Sequence, residues 1–172
     1  MNISKSNLIR PITLLVMFSF FGIQSVQSQI RVGVNGGIPI GDADDLSTFA
    51  GIIDFNYLFD VTDNLRLGPS MGYSHSFGDE LDTGFGIIKF DETRFLPIYG
   101  AARFEISHIL SFGADLGYAL SLEKSSSGGF YYSPGVSLSM SDYLNFVIAY
   151  RGISLKTASW DIISFGLELK LK

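Results

Sequence analysis

The sequence contains no cysteine, and only 17% of its 172 residues are charged. The absence of cysteine excludes a disulfide scaffold, a thiolate metal site and a lipid anchor on an N-terminal cysteine. Soluble domains carry about 25% charged residues, so this chain is short of charge, and its mean hydropathy of +0.29 indicates a membrane protein or a large core. Its 12 basic residues against 17 acidic ones argue against a nucleic-acid partner, because phosphate binding needs clustered lysine and arginine.

Long hydrophobic runs are absent after Gln29, so the rest of the chain offers no transmembrane helix, which needs about 18 consecutive apolar residues or more. Residues 1–28 have the pattern of a cleaved signal peptide. Lys5 and Arg10 form its positive region, and Pro11–Ile23 is an apolar run followed by small residues at a cleavage site. An uncleaved membrane anchor is the alternative, but the run falls short of the ~20 residues of a span.

The remaining residues, 29–172, alternate between apolar and small or polar side chains, which is the period of a β-strand. Nineteen glycines also argue against a helical bundle. The pattern predicts eight strands, at 30–40, 53–59, 65–74, 95–105, 110–122, 132–140, 144–151 and 163–171. Tight turns near 60–64, 105–109 and 141–143 alternate with longer or more polar loops at 41–48, 77–92, 123–129 and 152–159. Such loop asymmetry is typical of outer-membrane barrels and favours antiparallel up-and-down topology.

The two faces of the predicted strands differ in side-chain size. In the strand that starts at Leu110, leucine, phenylalanine and tyrosine share one face, while Gly113, Asp115 and Gly117 share the other. Eight strands enclose a narrow interior that suits small residues. The bulky apolar face must therefore point outward, and only lipid tolerates an apolar surface of that size. The sequence predicts an all-β, eight-stranded antiparallel up-and-down transmembrane β-barrel.

The inward positions carry charges of both signs. Because buried charges are costly unless paired, we expect a nearly balanced, hydrogen-bonded ionic network that plugs the interior and leaves no open pore. Without the strand register the pairings stay open. The members of the predicted network are Arg31, Asp54, Arg66, Arg103, Glu105, Asp115, Arg151, Glu168 and Lys170.

Two strands carry a resemblance to a known family. Residues 30–37 read IRVGVNGG and residues 110–118 read LSFGADLGY. With the preceding signal peptide, they resemble the small outer-membrane β-barrel domain proteins common in Bacteroidota, over roughly Gln29 to Lys172. The resemblance implies an eight-stranded barrel in the outer membrane, placed there by the barrel assembly machinery. Many members end on an aromatic residue used in assembly, whereas this sequence ends LKLK, with Leu171 at the apolar position.

His75 is the one candidate for catalysis that we weigh seriously, since some outer-membrane enzymes that modify lipid A use a serine, a histidine and an acid at the barrel rim. Asp79 and Glu80 follow it closely. A serine on the same face would stand two residues away, where Tyr73 and Phe77 stand instead. We therefore expect no catalytic residues, and an enzyme acting on lipid A or phospholipid near His75 is the alternative.

Two further motifs fail on inspection. Gly68-Pro69-Ser70-Met71-Gly72 matches a nucleophile elbow, which needs a strand, a turn and a helix, but the alternation continues through it. The acidic loop at Asp42 fails the EF-hand spacing, because Ser47 and Ile53 occupy the glycine and glutamate positions. We expect no cofactor and no metal. The longer loops form a solvated acidic rim with three lysines, Lys89, Lys124 and Lys156, against Asp42, Asp44, Asp45, Asp79, Glu80, Asp82, Asp91, Glu92 and Glu123.

The sequence thus predicts an exported protein of the cell outer membrane with a structural or interaction role. Its expected partners are outer-membrane lipid and the assembly machinery, and its acidic loops are suited to a protein partner. A third reading, a ligand-binding barrel with an open cavity, requires an apolar interior.

Overall fold

The computed structural model describes residues 28–44, 46–78, 80–82, 87–89, 92–123, 127–156 and 158–171. The predicted signal peptide lies outside the described residues apart from Ser28. Within the described ranges, no helix is long and apolar enough to cross a membrane. The strands are β1 (Ser28–Ile40), β2 (Ser47–Thr62), β3 (Leu65–Gly78), β4 (Glu80–Asp82), β5 (Ile87–Lys89), β6 (Thr93–Glu105), β7 (Leu110–Ser121), β8 (Gly129–Ser139), β9 (Leu144–Ser154) and β10 (Ser159–Leu171).

Eight of these strands form one closed antiparallel barrel, in the order β1-β10-β9-β8-β7-β6-β3-β2. Every sequential pair in the barrel is adjacent, and β1 closes the barrel on β10 with Ile30 opposite Leu171. The predicted up-and-down topology and all eight predicted strands are confirmed. The strands β4 and β5 form a separate short hairpin within the connection from β3 to β6, which the sequence pattern did not indicate.

The two ends of the barrel differ. The short-turn end holds the β2–β3, β6–β7 and β8–β9 turns together with Ser28 and Leu171, where the barrel starts and ends. The long-loop end holds the other connections, including a single 3-10 turn at Gly41–Ala43. Gly41 has a φ of +63°, a conformation that side chains disfavour, and it lets β1 turn sharply into this segment.

The outward face carries exposed large apolar side chains on every barrel strand, such as Val34 at 63% and Leu116 at 59% exposure. The predicted assignment of the bulky face to the outside is confirmed. Strand β7 has 12 residues. Tilted by about 40°, a strand of this length rises roughly 28 Å, close to the ~25 Å apolar band of outer-membrane barrels.

The interior is polar along only part of its length. At the long-loop end the barrel is filled by a cluster that we call the apolar cap: Ile52, Phe95, Tyr131, Ile153, Trp160 and Ile162. The rings of Phe95 and Trp160 lie 6.0 Å apart, and Ala43 of the 3-10 turn is fully buried against the cap. The prediction of a polar interior therefore needs correction at this end. The inward residues of the cap stand near strand ends, beyond the clearest part of the alternation.

Candidate functional site

Asp54 on β2 lies at the centre of the polar interior. Arg151 on β9 donates to both of its carboxylate oxygens, with Nη1–Oδ1 at 3.0 Å and Nη2–Oδ2 at 2.7 Å. The same carboxylate accepts hydrogen bonds from the Tyr99 hydroxyl at 3.1 Å and from the Asn35 amide at 2.8 Å. Nε of Arg151 donates to Ser164 Oγ at 2.8 Å. We call these residues the Asp54 cluster. Its buried bidentate pair satisfies the carboxylate fully, which is the condition for a buried charge pair to be stable.

Glu168 on β10 forms a second buried cluster closer to the short-turn end. Its Oε1 accepts from Arg31 Nη1 and from Asn145 Nδ2, both at 3.0 Å. Its Oε2 accepts from Asn56 Nδ2 at 3.5 Å, and Arg31 Nε donates to Gln29 Oε1 at 2.8 Å. We call these residues the Glu168 cluster. Side chains from β1, β2, β9 and β10 meet here, so the cluster ties together four consecutive strands around the point of barrel closure.

Two further arginines pair with inward carboxylates. Arg103 forms a bidentate pair with Asp115 on the neighbouring strand, with Nη2–Oδ2 at 3.3 Å and a second hydrogen bond from Nη1 to Oδ1. Arg66 donates to Glu105 at 3.0 Å and to Asp60 at 2.7 Å at the short-turn rim, where all three side chains are partly exposed. Each predicted inward carboxylate therefore lies against an arginine.

Lys170 is the remaining member of the predicted network, and no carboxylate among the described residues lies within 4 Å of its amine. Its Nζ donates to Ser139 Oγ at 3.4 Å. Its position opposite Arg31 in the β1–β10 ladder puts two positive charges side by side. Lys170 is thus an inward cation without an ionic partner in the described part of the chain.

The space left inside the barrel is small. The cavity around the Asp54 cluster has a volume of about 30 Å³, which holds one or two water molecules. Above it the apolar cap fills the long-loop end. Below it, a cavity of about 390 Å³ opens at the short-turn end, and we call it the vestibule. The Asp54 cluster and the apolar cap therefore lie between the vestibule and the long-loop end.

Gly72 makes room for the Asp54 cluster. A Cβ at this position would stand 2.9 Å from Asp54 Oδ1 and 3.2 Å from the Ile53 carbonyl. We expect Gly72→Ala to destabilise the protein by about 1–3 kcal/mol, because the side chain forces a well-packed charge pair to move. Urea unfolding of the refolded protein in lipid measures the change.

Gly51 provides the matched control for this substitution. It lies on the neighbouring strand β2, and a Cβ there would meet nothing within 4 Å. Gly51→Ala should leave stability unchanged or raise it by up to about 1 kcal/mol, through the unfolded state. Equal effects at the two glycines would show that the packing around Asp54 is loose enough to accept a methyl group.

His75 lies on the outward face of β3. Its Nε2 is 3.2 Å from Glu92 Oε2, and its ring lies 4.5 Å from that of Phe77. Ser74 and Ser76 are buried on the opposite face, and Ser76 Oγ accepts a hydrogen bond from Trp160. In the described structure no serine hydroxyl is hydrogen-bonded to His75.

The acidic loop residues are only partly described. Asp42 accepts a hydrogen bond from the Ser159 backbone at 3.0 Å, and Glu123 pairs with Arg94 at 2.9 Å. In the described ranges no three His, Asp or Glu side chains are grouped as metal ligands. Seven members of the predicted acidic rim lie outside the described residues or have undescribed side chains: Asp45, Asp79, Glu80, Asp82, Lys89, Asp91 and Lys124.

Sequence reasoning missed the neutral members of the two clusters. Asn35, Asn56, Tyr99 and Asn145 complete the hydrogen bonding of the two carboxylates. Their period-two inward positions were visible in the sequence. Their roles were not, because a neutral side chain carries no charge that demands a partner. Asp60 was also missed, since it stands beyond the alternating part of β2.

Solved structures share the fold. Ail of Yersinia pestis, in complex with the heparin analogue sucrose octasulfate, matches with a TM-score of 0.61 and 14% identity over 86% of this chain and 100% of that chain. The N-terminal β-barrel domain of Pseudomonas aeruginosa OprF matches with a TM-score of 0.55 and 11% identity, over the same shares. Neisserial surface protein A matches with a TM-score of 0.51 and 12% identity, again over 86% and 100%. The sequence matches no family model and no curated protein sequence. At such low identity the likeness establishes a small eight-stranded barrel fold and nothing further.

Proposed function

We propose that the protein is an integral barrel of the outer membrane with a structural or interaction role and no open pore. The observation that carries this proposal is the combination of an apolar outward face with a paired ionic interior. An exposed apolar surface on all eight strands would cause association in water. In a membrane, lipid solvates this apolar surface. The closed barrel also satisfies the backbone hydrogen bonds of every strand.

The orientation follows from the two ends of the barrel. Outer-membrane barrels place short turns in the periplasm and longer loops outside the cell. The apolar cap and the acidic loop residues therefore face the exterior, and the vestibule faces the periplasm. The predicted signal peptide (residues 1–28) supplies the export that this location requires, and barrel insertion calls for the assembly machinery. The resemblance in residues 30–37 and 110–118 supports a source in Bacteroidota.

An interaction role fits a barrel with a filled interior and acidic loops at one end. The filled interior argues against transport through the barrel. The acidic loops are the part of the protein suited to a protein partner. Among the proteins of similar fold, Ail is named for attachment and invasion, and Neisserial surface protein A for its place on the surface. We propose no catalysis, since the serines beside His75 point into the barrel, away from its ring.

The membrane location is tested by fractionation. We expect the protein in the outer-membrane fraction, and we expect the folded form to migrate differently from the boiled form on a denaturing gel, as closed barrels resist unfolding by detergent. A protein recovered in the soluble periplasmic fraction would contradict the proposal. The same cells would show whether residues 1–28 are removed, by the mass of the mature chain.

The absence of a pore is tested in planar lipid bilayers. The wild-type protein should show no steady conductance above that of the bare bilayer, because the cavity at the Asp54 cluster holds one or two water molecules and the apolar cap fills the end above it. A porin inserted in the same bilayers shows that channels are detectable. Regular conductance steps from the purified wild type would overturn the plugged interior while leaving the membrane location standing.

A further inference from the structure

The vestibule at the short-turn end has the features of a ligand site. Its volume is about 390 Å³, enough for a small molecule. Polar side chains dominate its lining. Three of them are cationic, Arg31, Arg66 and Lys170, and two are acidic, Glu105, which pairs with Arg66, and Asp142. Gln29, Ser111, Ser139 and His108 add hydrogen-bonding groups. It lies at the short-turn end and is much larger than the cavity of about 30 Å³ at Asp54.

The cations of the vestibule retain unused donors. Lys170 uses one of its three N–H groups on Ser139. Arg31 uses Nε on Gln29 and Nη1 on Glu168, and its Nη2 has no partner among the described residues. Arg66 likewise uses Nε and Nη1 on Asp60 and Glu105. Both arginines and the lysine thus keep unused donors, and all three residues line the same cavity.

The position of Lys170 also favours a bound anion. Arg31 and Lys170 are direct neighbours in the β1–β10 ladder and on the same inward face. Like charges placed directly opposite each other are destabilising. Glu168 compensates Arg31, but Lys170 reaches that carboxylate only through Ser139 and Asn145, by hydrogen bonds of 3.4, 3.0 and 3.0 Å. A bound anion would compensate Lys170 directly.

We infer that the vestibule binds a phosphate group, either as inorganic phosphate or as a small phosphate monoester. A tetrahedral oxyanion accepts hydrogen bonds on several sides, which suits donors that converge from β1, β3 and β10. Arginine pairs with phosphate through a planar fork and lysine through a point charge, and the vestibule offers both. Under the proposed orientation this ligand comes from the periplasm, but the site itself does not depend on the membrane location.

Isothermal titration of the refolded full chain in detergent micelles tests the site, with inorganic phosphate exchanged for chloride at constant ionic strength. We expect saturable binding with one site per chain. Lys170→Gln should weaken it about tenfold or more, because it removes a charge-assisted hydrogen bond. Lys170→Arg should restore most of the affinity. The gel shift on boiling establishes that each variant is folded.

Lys156→Gln is the matched control, since Lys156 is exposed at the opposite end of the barrel and should leave the affinity within about twofold. Glycerol 3-phosphate and acetate form the other arms of the experiment. Binding of phosphate and of the ester supports a monoester ligand, and binding of phosphate alone supports the free ion. Three outcomes would each overturn the inference: acetate binding as tight as phosphate binding, an equal loss of affinity in Lys170→Gln and Lys156→Gln, or no saturable binding.

Discussion

Replacement of Arg151 by methionine is expected to destabilise the barrel by about 3–5 kcal/mol, because it leaves the buried carboxylate of Asp54 without its counter-charge. Both residues are largely buried, with exposures of 8% and 6%, and they share two hydrogen bonds of 3.0 and 2.7 Å. The remaining hydrogen bonds from Asn35 and Tyr99 do not neutralise the carboxylate. Urea unfolding in phospholipid vesicles measures the loss. The single tryptophan, Trp160 in the apolar cap, supplies the fluorescence signal.

Two variants separate the loss of the charge pair from a general effect of losing an arginine. Arg94→Gln removes the solvent-accessible rim pair with Glu123 and should have little effect on stability, because water screens such a pair. The double variant Asp54→Leu with Arg151→Met replaces both charges by apolar groups. It should recover much of the stability, as exchanges of buried ion pairs for apolar residues do elsewhere. If Arg151→Met were as mild as Arg94→Gln, the interior would have to be open to water.

Replacement of Leu116 by arginine is expected to cost about 2–4 kcal/mol if the outward face lies in lipid. Leu116 is 59% exposed near the middle of β7. In water, a change from an exposed leucine to arginine would alter stability by about 0.5 kcal/mol or less. The substitution therefore reports on the solvent around the barrel as well as on the barrel itself. Urea unfolding of the wild type and the variant in the same vesicles gives the difference.

Leu122 provides the depth control. It follows β7 at the long-loop end and is 46% exposed, so Leu122→Arg should cost no more than about 1 kcal/mol at the membrane interface. A large effect at Leu116 with a small one at Leu122 places the apolar band between the two ends. Small effects at both positions would indicate that the outward face is in water, and the membrane proposal would be wrong.

The barrel could be predicted because its pattern is local. Strand positions two residues apart share a face, so the contrast between Leu110 or Phe112 and Gly113 or Asp115 was visible without any contact across the fold. The narrowness of an eight-stranded barrel then decided which face was outside. The β4–β5 hairpin could not be found in this way, because its two strands of three residues are too short to show a period.

The inward charges could be placed on a face but not paired. Asp54 and Arg151 are 97 positions apart and stand on strands that are not hydrogen-bonded to each other, so their contact depends on the closure of β1 on β10. The same closure places Arg31 opposite Lys170 and allows Arg31 to donate a hydrogen bond to Glu168. A shift of the register by two residues would preserve the faces and would change every partner.

The sequence by itself determined the strand period, the number of strands in the barrel, the alternation of short and long connections and the face that points outward. These properties arise from side-chain size and polarity at positions close in the chain. Only the tertiary structure decided the pairing of charges, the apolar cap and the vestibule with its uncompensated lysine. Each of these depends on how eight strands are staggered when the barrel closes, since stagger sets which inward side chains meet at the same height.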